Sequence, residues 1–571
     1  MLNTIKRPAL RTSAFEGKSL IRQQLLSAKR SVRLVAIVAG AVAALQMAPI
    51  TALGGQARTA VDAIPTDVDI SGPFLQKPGK DPHDPAAVDR CGEPEITLDV
   101  MDPNILVVSC MSTAGLSYQD PRPRKNYSAV DITKSGDWYE PCYTFISHDG
   151  GKSWARVQPD PTLSSPLIIE CSDPLAQWGP HGELYLGGDA FHFPVQGKFA
   201  PVLALPGGSF PLEGLGISFS RSLDGGKTWS KPVLIPTAID RPFWTVDQST
   251  GVIYSISGCA DVTTIGAYGC TPSSRNLAVS TDQGQTWTPT IDVWNKEPPT
   301  QTLTPGHLHN ISPGSNVAAA NGVFASAGAN RENHAVVFEY STDQGVTFTQ
   351  RPIPLGDATP CASPSAAGIA ANPTHRGSFA VIVLCPPNPK AVRVFLTRDL
   401  GETWMETASL VVPPPPGYAS DPSVHDPSPY SQGIDTSTVV SKVPNNNFEI
   451  DRPWVAYGPT GALGVLWRQD YYVPAMPPAA AGAQGAPQER GSGIRPGPQD
   501  VFVAISADGG AKFAEPFRVN TAASPAPDPR QLGNDDTSQI ILDKHYAYAV
   551  WGDWRSGELQ SWFRKVPIPA R

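Results

Sequence analysis

One eight-residue segment recurs six times along this chain and constrains its fold more than any other feature. The first copy reads Ser147-His-Asp-Gly-Gly-Lys-Ser-Trp154: a hydroxyl residue, an aspartate two positions later, a glycine two further on, and an aromatic residue at the end. The other copies begin at Ser222, Ser280, Ser341, Thr397 and Ser506. The last copy is weaker, because Lys512 stands where the others carry a serine or threonine. Repetition of this kind indicates a repeat architecture.

Each copy predicts a tight hairpin turn with an anchor at its end. An alternating apolar strand precedes it, as in Ala335-Val-Val-Phe-Glu-Tyr340. The aspartate can accept backbone N–H groups within the turn, and the glycine supplies a positive φ without a Cβ clash. The final Trp or Phe begins the next strand and offers a large apolar surface for packing. The 60 prolines and 51 glycines suit such a fold of many short strands and turns.

On these repeats the chain resembles the Asp-box, or BNR-repeat, family, whose best-known members are the sialidases. The resemblance covers roughly residues 90–565. It implies that each box joins the third and fourth strands of a β-propeller blade, on the face away from the active site. The boxes are then structural, and we assign them no catalytic role.

Counting strands between boxes predicts an all-β propeller of four-stranded blades. Strands before the third box are expected at 243–247 and 252–256. After the sixth box a further unit has strands at 539–542, 546–551 and 559–563 but lacks a fourth. A strand from the N-terminal side would complete it and close the ring, which removes free sheet edges. Seven blades are therefore favoured, and six, as in the sialidases, is the alternative.

The N-terminal segment differs in composition from the rest of the chain. Residues 1–33 carry eight Lys/Arg and one acidic residue, and the apolar run 34–45 and small residues up to Ala57 follow. We predict a signal peptide over 1–57, or an uncleaved anchor, then a linker over 58–89 and the propeller over 90–571. Removal of residues 1–57 would change the net charge from −8 to −15. A protein this acidic lacks the positive charge that binding to nucleic acid requires. The expected location is secreted or cell-envelope.

Cysteine usage agrees with export. All eight cysteines follow the leader, in neighbouring pairs without zinc-like spacing. Buried free thiols are the alternative. Because short loops close most readily, we predict four local disulfides: Cys91–Cys110, Cys142–Cys171, Cys259–Cys270 and Cys361–Cys385.

Acidic and arginine residues concentrate where propeller geometry places one mouth of the central channel. They precede first strands or follow second strands, opposite the boxes. The candidate catalytic residues are Asp240, Arg241, Asp451, Arg452, Asp536, Asp553 and Arg555. Arginine suits carboxylate recognition and paired carboxylates suit glycoside cleavage. The alternative is that they form ion pairs between strands and blades, which their repetition favours.

Two functions follow from the resemblance: an exported glycoside hydrolase, or a non-catalytic propeller scaffold that binds glycan or a surface protein. The Phe/Tyr-Arg-Ile-Pro motif of sialidases does not occur in this sequence. The candidate nucleophiles are Tyr430, Tyr457 and Tyr546, and the sequence does not distinguish among them. We expect no cofactor and no metal site, since His307 and His309 offer two ligands without a third. No nucleic-acid partner is expected, and no membrane contact beyond the anchor.

Overall fold

The computed structural model describes 17 stretches of the chain. They are residues 66–75, 91–111, 142–157, 168–192, 213–235, 242–258, 275–288, 291–292, 317–330, 335–356, 361, 364–385, 391–415, 448–474, 494–525, 537–557 and 559–570. All belong to the second of the two units into which the chain divides, residues 60–571. Residues 1–57, predicted to be a signal peptide or an anchor, lie outside the described residues. Within them, no helix is long and apolar enough to cross a membrane.

The described strands form seven antiparallel four-stranded sheets, the blades. A short strand β1 (Val68–Asp69) and the one-turn helix α1 (Gly72–Leu75) come first. Blade 1 contains β2 (Gly92–Leu98), β3 (Leu106–Met111), β4 (Tyr143–Ser147) and β5 (Ala155–Val157), and blade 2 contains β6 (Ile168–Trp178), β7 (Leu184–His192), β8 (Glu213–Ser222) and β9 (Val233–Ile235). Blade 3 contains β10 (Phe243–Val246), β11 (Ile253–Gly258), β12 (Arg275–Ser280) and β13 (Ile291–Asp292), and blade 4 contains β14 (Val317–Ala320), β15 (Val323–Asn330), β16 (Ala335–Ser341) and β17 (Thr349–Ile353). Blade 5 contains β18 (Ser365–Ala371), β19 (Phe379–Leu384), β20 (Val392–Thr397) and β21 (Met405–Leu410), and blade 6 contains β22 (Phe448–Tyr457), β23 (Leu463–Pro474), β24 (Ile494–Ser506) and β25 (Phe517–Arg518).

Blade 7 closes the ring with strands from both ends of the propeller sequence. It consists of β26 (Gln539–Leu542), β27 (Tyr546–Asp553), β28 (Gln560–Pro567) and, outermost, β1. Val68 pairs with Phe563 and Asp69 with Trp562. The prediction of seven blades, with an N-terminal strand completing the last, is confirmed.

The hydrophobic core lies between blades. Each of the buried clusters in the described residues joins two neighbouring sheets, and together the clusters cover every interface around the ring. The interface of blades 7 and 1, for example, contains Phe145, Tyr548 and Phe563. A four-stranded sheet with two apolar faces cannot bury both alone, so the ring has to close for the sheets to be stable.

The boxes join the third and fourth strands of blades 1 to 6, as the resemblance implies. In the first box, Ser153 Oγ donates to Asp149 Oδ2 at 2.6 Å, and the Gly151 N–H donates to Ser147 Oγ at 2.8 Å. Burial alone would raise the pKa of Asp149, but the hydrogen bonds that its carboxylate accepts, chiefly from Ser153, outweigh it and hold that pKa down at about 2. In the sixth box the Lys512 backbone N–H donates to Asp508, without a hydroxyl at that position.

Box residues also pack on the preceding blade. Trp287 of the third box meets the ring of Phe219 in blade 2 edge-on, with centroids 5.2 Å apart. A Cβ on Gly284 would lie 2.1 Å from that same ring. Trp154 meets Phe563, and Trp404 meets Phe338, in the same way across their own interfaces. The box glycine and aromatic residue therefore fasten each of these blades to the one before it.

Two of the four predicted disulfides are confirmed. Cys91–Cys110 and Cys361–Cys385 have Cα separations of 5.2 and 5.3 Å. Cys142 is disulfide-bonded, while the side chain of Cys171 and the whole of the Cys259–Cys270 pair lie outside the described residues. Such bonds are typical of exported proteins.

Replacing a box glycine should separate the cost of its backbone conformation from the cost of close packing. Gly284 (φ 76°) and Gly225 (φ 72°) both have a positive φ, but a Cβ on Gly225 would meet nothing within 4 Å. We expect Gly225→Ala to lower the free energy of unfolding by about 1–2 kcal/mol and Gly284→Ala by about 3 kcal/mol or more, because the second also displaces Phe219. Urea unfolding of both variants measures the difference, and equal losses would contradict the packing role.

Candidate functional site

On the mouth face, where first strands begin and second strands end, three of the described first strands share one structural feature. In blades 1, 2 and 6 the first strand contains a bulge next to a proline, in which one extra residue is inserted against the second strand; blade 5 has a bulge without the proline. The residue before a proline in each bulge, Glu93, Asp173 or Arg452, has a φ of 51°, 48° or 46°. A left-handed conformation is costly for such residues, and more so before proline. Strain repeated at one place marks this face as a candidate site.

Blade 3 has the same sequence pattern at Asp240-Arg241-Pro242, but Asp240 and Arg241 lie outside the described residues. So does Asp536 of blade 7. The candidate nucleophile Tyr430 and the histidines His307 and His309 fall outside them as well. The remaining four predicted site residues are described, in two groups.

The first group is in blade 6, where Arg452 lies among carboxylates. Its Nη1 atom is 3.1 Å from Asp451 Oδ2 and 4.0 Å from Asp470 Oδ2. Arg468, opposite Asp451 on the second strand, has its Nε 3.4 Å from Asp470 Oδ1. The side chains of Arg452 and Arg468 are only 10% and 1% exposed. Ion pairs thus link the two arginines and the two aspartates in a largely buried cluster.

The second group is in blade 7, where Arg555 holds the closing strand. Its Nη2 is 2.6 Å from Asp553 Oδ2, and its guanidinium lies 4.3 Å from the centroid of the Trp562 ring. Its Nη1 pairs with Asp67, directly before β1, and Asp67 also accepts the Thr521 N–H of the segment that follows blade 6. The Arg555 side chain therefore extends across β28 towards β1, the outermost strand of blade 7. No described contact joins it to Arg452.

Two glutamates in blade 1, Glu93 and Glu95, were missed by the sequence analysis. Glu95 Oε2 accepts the Ala176 N–H of blade 2 at 2.8 Å, and Oε1 accepts the Gln539 amide of blade 7 at 3.0 Å. Burial raises the pKa of Glu95 to about 8; these two hydrogen bonds oppose the rise, and the nearby Asp173 adds to it. The Glu93-Pro94 dipeptide at the start of a first strand matches Asp173-Pro174, and this pattern was the signal that could have found both.

The mouth face therefore presents acids on blades 1 and 2 and neutralised arginines on blade 6. Asp173 is the partly exposed member, whereas Glu93 and Glu95 are buried. Such a surface offers hydrogen-bond acceptors. Its arginines in blades 6 and 7 are already engaged by carboxylates. Groups of three or more metal-binding side chains do not occur among the described residues.

Removing Arg452 or Arg555 should lower stability, because Arg452 pairs with Asp451 and Asp470, and Arg555 pairs with the buried Asp67 and Asp553. We expect Arg452→Ala and Arg555→Ala to reduce the free energy of unfolding by about 2–4 kcal/mol. Arg351→Ala is the matched control, since its pair with Glu402 is exposed and should contribute less than about 1 kcal/mol. Thermal and urea unfolding measure these losses. Unchanged stability of Arg452→Ala, together with a loss of ligand binding, would show that Arg452 binds a ligand and does not stabilise the fold.

Glu95 should make stability depend on pH. Its pKa is raised by folding from about 4.5 to about 8, so the folded state holds the proton more tightly. Its contribution is then fully present below about pH 4.5, declines as the pH rises and is lost above about pH 8, by at most about 1.4 kcal/mol per pH unit. We expect Glu95→Gln to flatten the decline of the unfolding free energy between pH 5 and 8, and Glu402→Gln to leave it unchanged. Parallel curves for the wild type and Glu95→Gln would show that Glu95 does not titrate in this range.

The BNR/Asp-box repeat family model matches residues 145–156 and 278–289, within the first and third repeats. A search of curated proteins gave no match. Among solved structures, a protein of unknown function from Dyadobacter fermentans is 13% identical, with 89% of this chain and 99% of that one covered and a TM-score of 0.39.

A Trypanosoma rangeli sialidase is 12% identical, with 88% of this chain and 58% of the sialidase covered and a TM-score of 0.33. YCF48, solved with a D1 peptide, is 9% identical, with 90% and 100% covered and a TM-score of 0.37. Similarities this low say nothing about activity. The chain is a seven-bladed β-propeller that carries BNR/Asp-box repeats, with a box joining the third and fourth strands in each of blades 1 to 6.

Proposed function

We propose that the protein is an exported propeller that binds a neutral, hydroxyl-rich glycan at its mouth face without cleaving it. The observation that carries this proposal is the repeated bulge, which holds Glu93, Asp173 and Arg452 in a costly backbone conformation at equivalent places in three blades. Strain of this kind persists where the surrounding structure enforces it, and it clusters at binding sites.

The charge at this face supports a neutral ligand. A clamp for an acidic sugar needs arginines whose guanidinium groups are open to the ligand. Arg452 and Arg468 are instead buried with Asp451 and Asp470, and Arg555 is held by Asp553. The accessible acid, Asp173, accepts hydrogen bonds, and sugar hydroxyls are suitable donors.

A glycoside hydrolase is the second candidate, and one observation favours it. Glu95 is held protonated near neutral pH and interacts with Asp173. A pair of neighbouring carboxyl groups, one of them protonated, is the usual arrangement in glycoside cleavage. The candidate catalytic residues Asp451, Arg452, Asp553 and Arg555 are engaged with one another or with Asp470 and Asp67, so they contribute structure in either case.

The disulfides and the leader-like N-terminus support export. We propose that the protein is released from the cell after removal of residues 1–57, with retention by an uncleaved anchor as the alternative. Mass determination of the N-terminus of the protein from culture supernatant and from membranes distinguishes the two.

A glycan array followed by calorimetry tests the function. We expect binding to neutral oligosaccharides over sialylated ones, and a loss of affinity of at least about tenfold in Asp173→Asn with an unchanged melting temperature. Asparagine tolerates the left-handed conformation of residue 173, so the variant removes the charge and keeps the backbone. Asp102→Asn, on the exposed loop between β2 and β3 at the opposite face, is the matched control.

Absence of binding to every glycan, or equal affinity of Asp173→Asn and the wild type, would contradict the proposal. Turnover of aryl glycosides that is abolished in Glu95→Gln would establish the hydrolase instead.

A further inference from the structure

A second site is present on the box face, opposite the mouth. A pocket of about 250 Å³ lies between blades 2 and 3, where the turn joining β6 to β7, the turn joining β10 to β11 and the third box come together. Its wall includes His181, Glu183, Tyr185, Asp282, Gln283 and Gln285. This volume suits a side chain or a small molecule.

Blade 2 alone among the six box-containing blades combines a glutamate and a tyrosine at this place. Strand pairing with the first residue of each box aligns Glu183 with apolar or small residues of the other blades. These are Ile105, Val252, Val323, Ser378 and Ala462. Tyr185 aligns with Val107, Tyr254, Ala325, Ala380 and Gly464. Formation of a blade therefore does not require the Glu183–Tyr185 combination.

Tyr185 carries a buried hydroxyl for which the described residues provide no hydrogen-bond partner. The residue is fully buried, and burial raises its pKa further above the usual range, so the hydroxyl keeps its proton. Leaving such a group unsatisfied costs about 1–3 kcal/mol. Gly179 lies close to both side chains: a Cβ there would be 2.9 Å from Tyr185 Oη and 2.5 Å from Glu183 Oε2.

The carboxylate beside this hydroxyl is held in place from two sides. Gln283 Nε2 donates to Glu183 Oε1 at 2.6 Å, and the His181 N–H donates to Oε2 at 2.9 Å. Gln283 has a φ of 60°, and its carbonyl accepts Arg221 Nη1 at 3.2 Å. Each carboxylate oxygen retains a lone pair for a ligand.

We propose that this pocket binds a protonated primary amine, with the ammonium group between the Glu183 carboxylate and the Tyr185 hydroxyl. The pocket wall contains two carboxylates, Glu183 and Asp282, and neither lysine nor arginine. An ammonium has three donors and no acceptor, which matches a carboxylate and a hydroxyl oxygen. The amine is either a free small molecule or a lysine side chain of another protein, and the probes distinguish these sources.

Calorimetry with the purified full-length protein tests the site. The probes are 1,5-diaminopentane, Nα-acetyl-lysine amide, a lysine-containing peptide, and 1,5-pentanediol as the neutral analogue. We expect saturable binding of the amines and none of the diol. Tighter binding of the peptide than of 1,5-diaminopentane would assign the ligand to a protein lysine, and the reverse order to a small amine.

Tyr185→Phe is the decisive variant, because it removes only a hydroxyl without a described partner. We expect it to keep the melting temperature within about 2 °C and to weaken amine binding about five- to tenfold, the effect of one hydrogen bond. Tyr254→Phe, at the equivalent position of blade 3, should bind as the wild type does. Glu183→Gln should weaken binding further, because it removes the negative charge that pairs with the ammonium group.

Equal affinity of Tyr185→Phe and the wild type would overturn the proposal, as would diol binding as strong as diamine binding or the absence of saturable amine binding. Because the pocket is on the face opposite the mouth, a failure here leaves the glycan test unaffected, and the converse also holds.

Discussion

Contacts between neighbouring blades hold this propeller together. A box glycine and its following tryptophan lie directly on an aromatic ring of the preceding blade, as Gly284 and Trp287 do on Phe219. The glycine is required for two reasons at once, since its φ is positive and its Cβ position is occupied by the ring. Turn chemistry and packing between blades thus depend on the same few residues, which explains why the segment recurs so closely along the chain.

Closure of the ring also depends on a strand from the N-terminal side of the propeller sequence. Blade 7 is completed by β1, which pairs through only two residues with β28. Arg555 reinforces that short strand by binding Asp553 of blade 7 and Asp67 directly before β1, while the Cys91–Cys110 disulfide fixes the start of the next blade. Arg555, at the end of the second strand of blade 7, therefore stabilises the closure of the ring.

Close packing of the blades also determines the state of the arginines on the mouth face. Arginines at strand ends in a tightly packed ring are buried, and a buried cation has to be paired. Arg452 and Arg468 are paired in this way with Asp451 and Asp470. The acids of blades 1 and 2 differ, because Glu95 is buried among hydrogen-bond donors without a cation in its described contacts, and its carboxyl remains protonated. The mouth face therefore offers acceptors from Asp173 more readily than free positive charge.

Local sequence pattern was sufficient to predict the fold. Box chemistry acts over eight residues, and strand periodicity over five to ten, so seven blades, the position of the boxes and the Cys91–Cys110 and Cys361–Cys385 disulfides all followed from local pattern. The sequence predicted Asp451 and Arg452 just before a first strand, whereas they lie within β22, in its bulge. What the candidate site residues contact depends on the folded ring, because their partners are distant in the chain: Asp67 lies 488 residues from Arg555, and Gln539 lies 444 from Glu95. The charge state of Glu95 and the unpartnered hydroxyl of Tyr185 likewise depend on burial by neighbouring blades, which no local pattern contains.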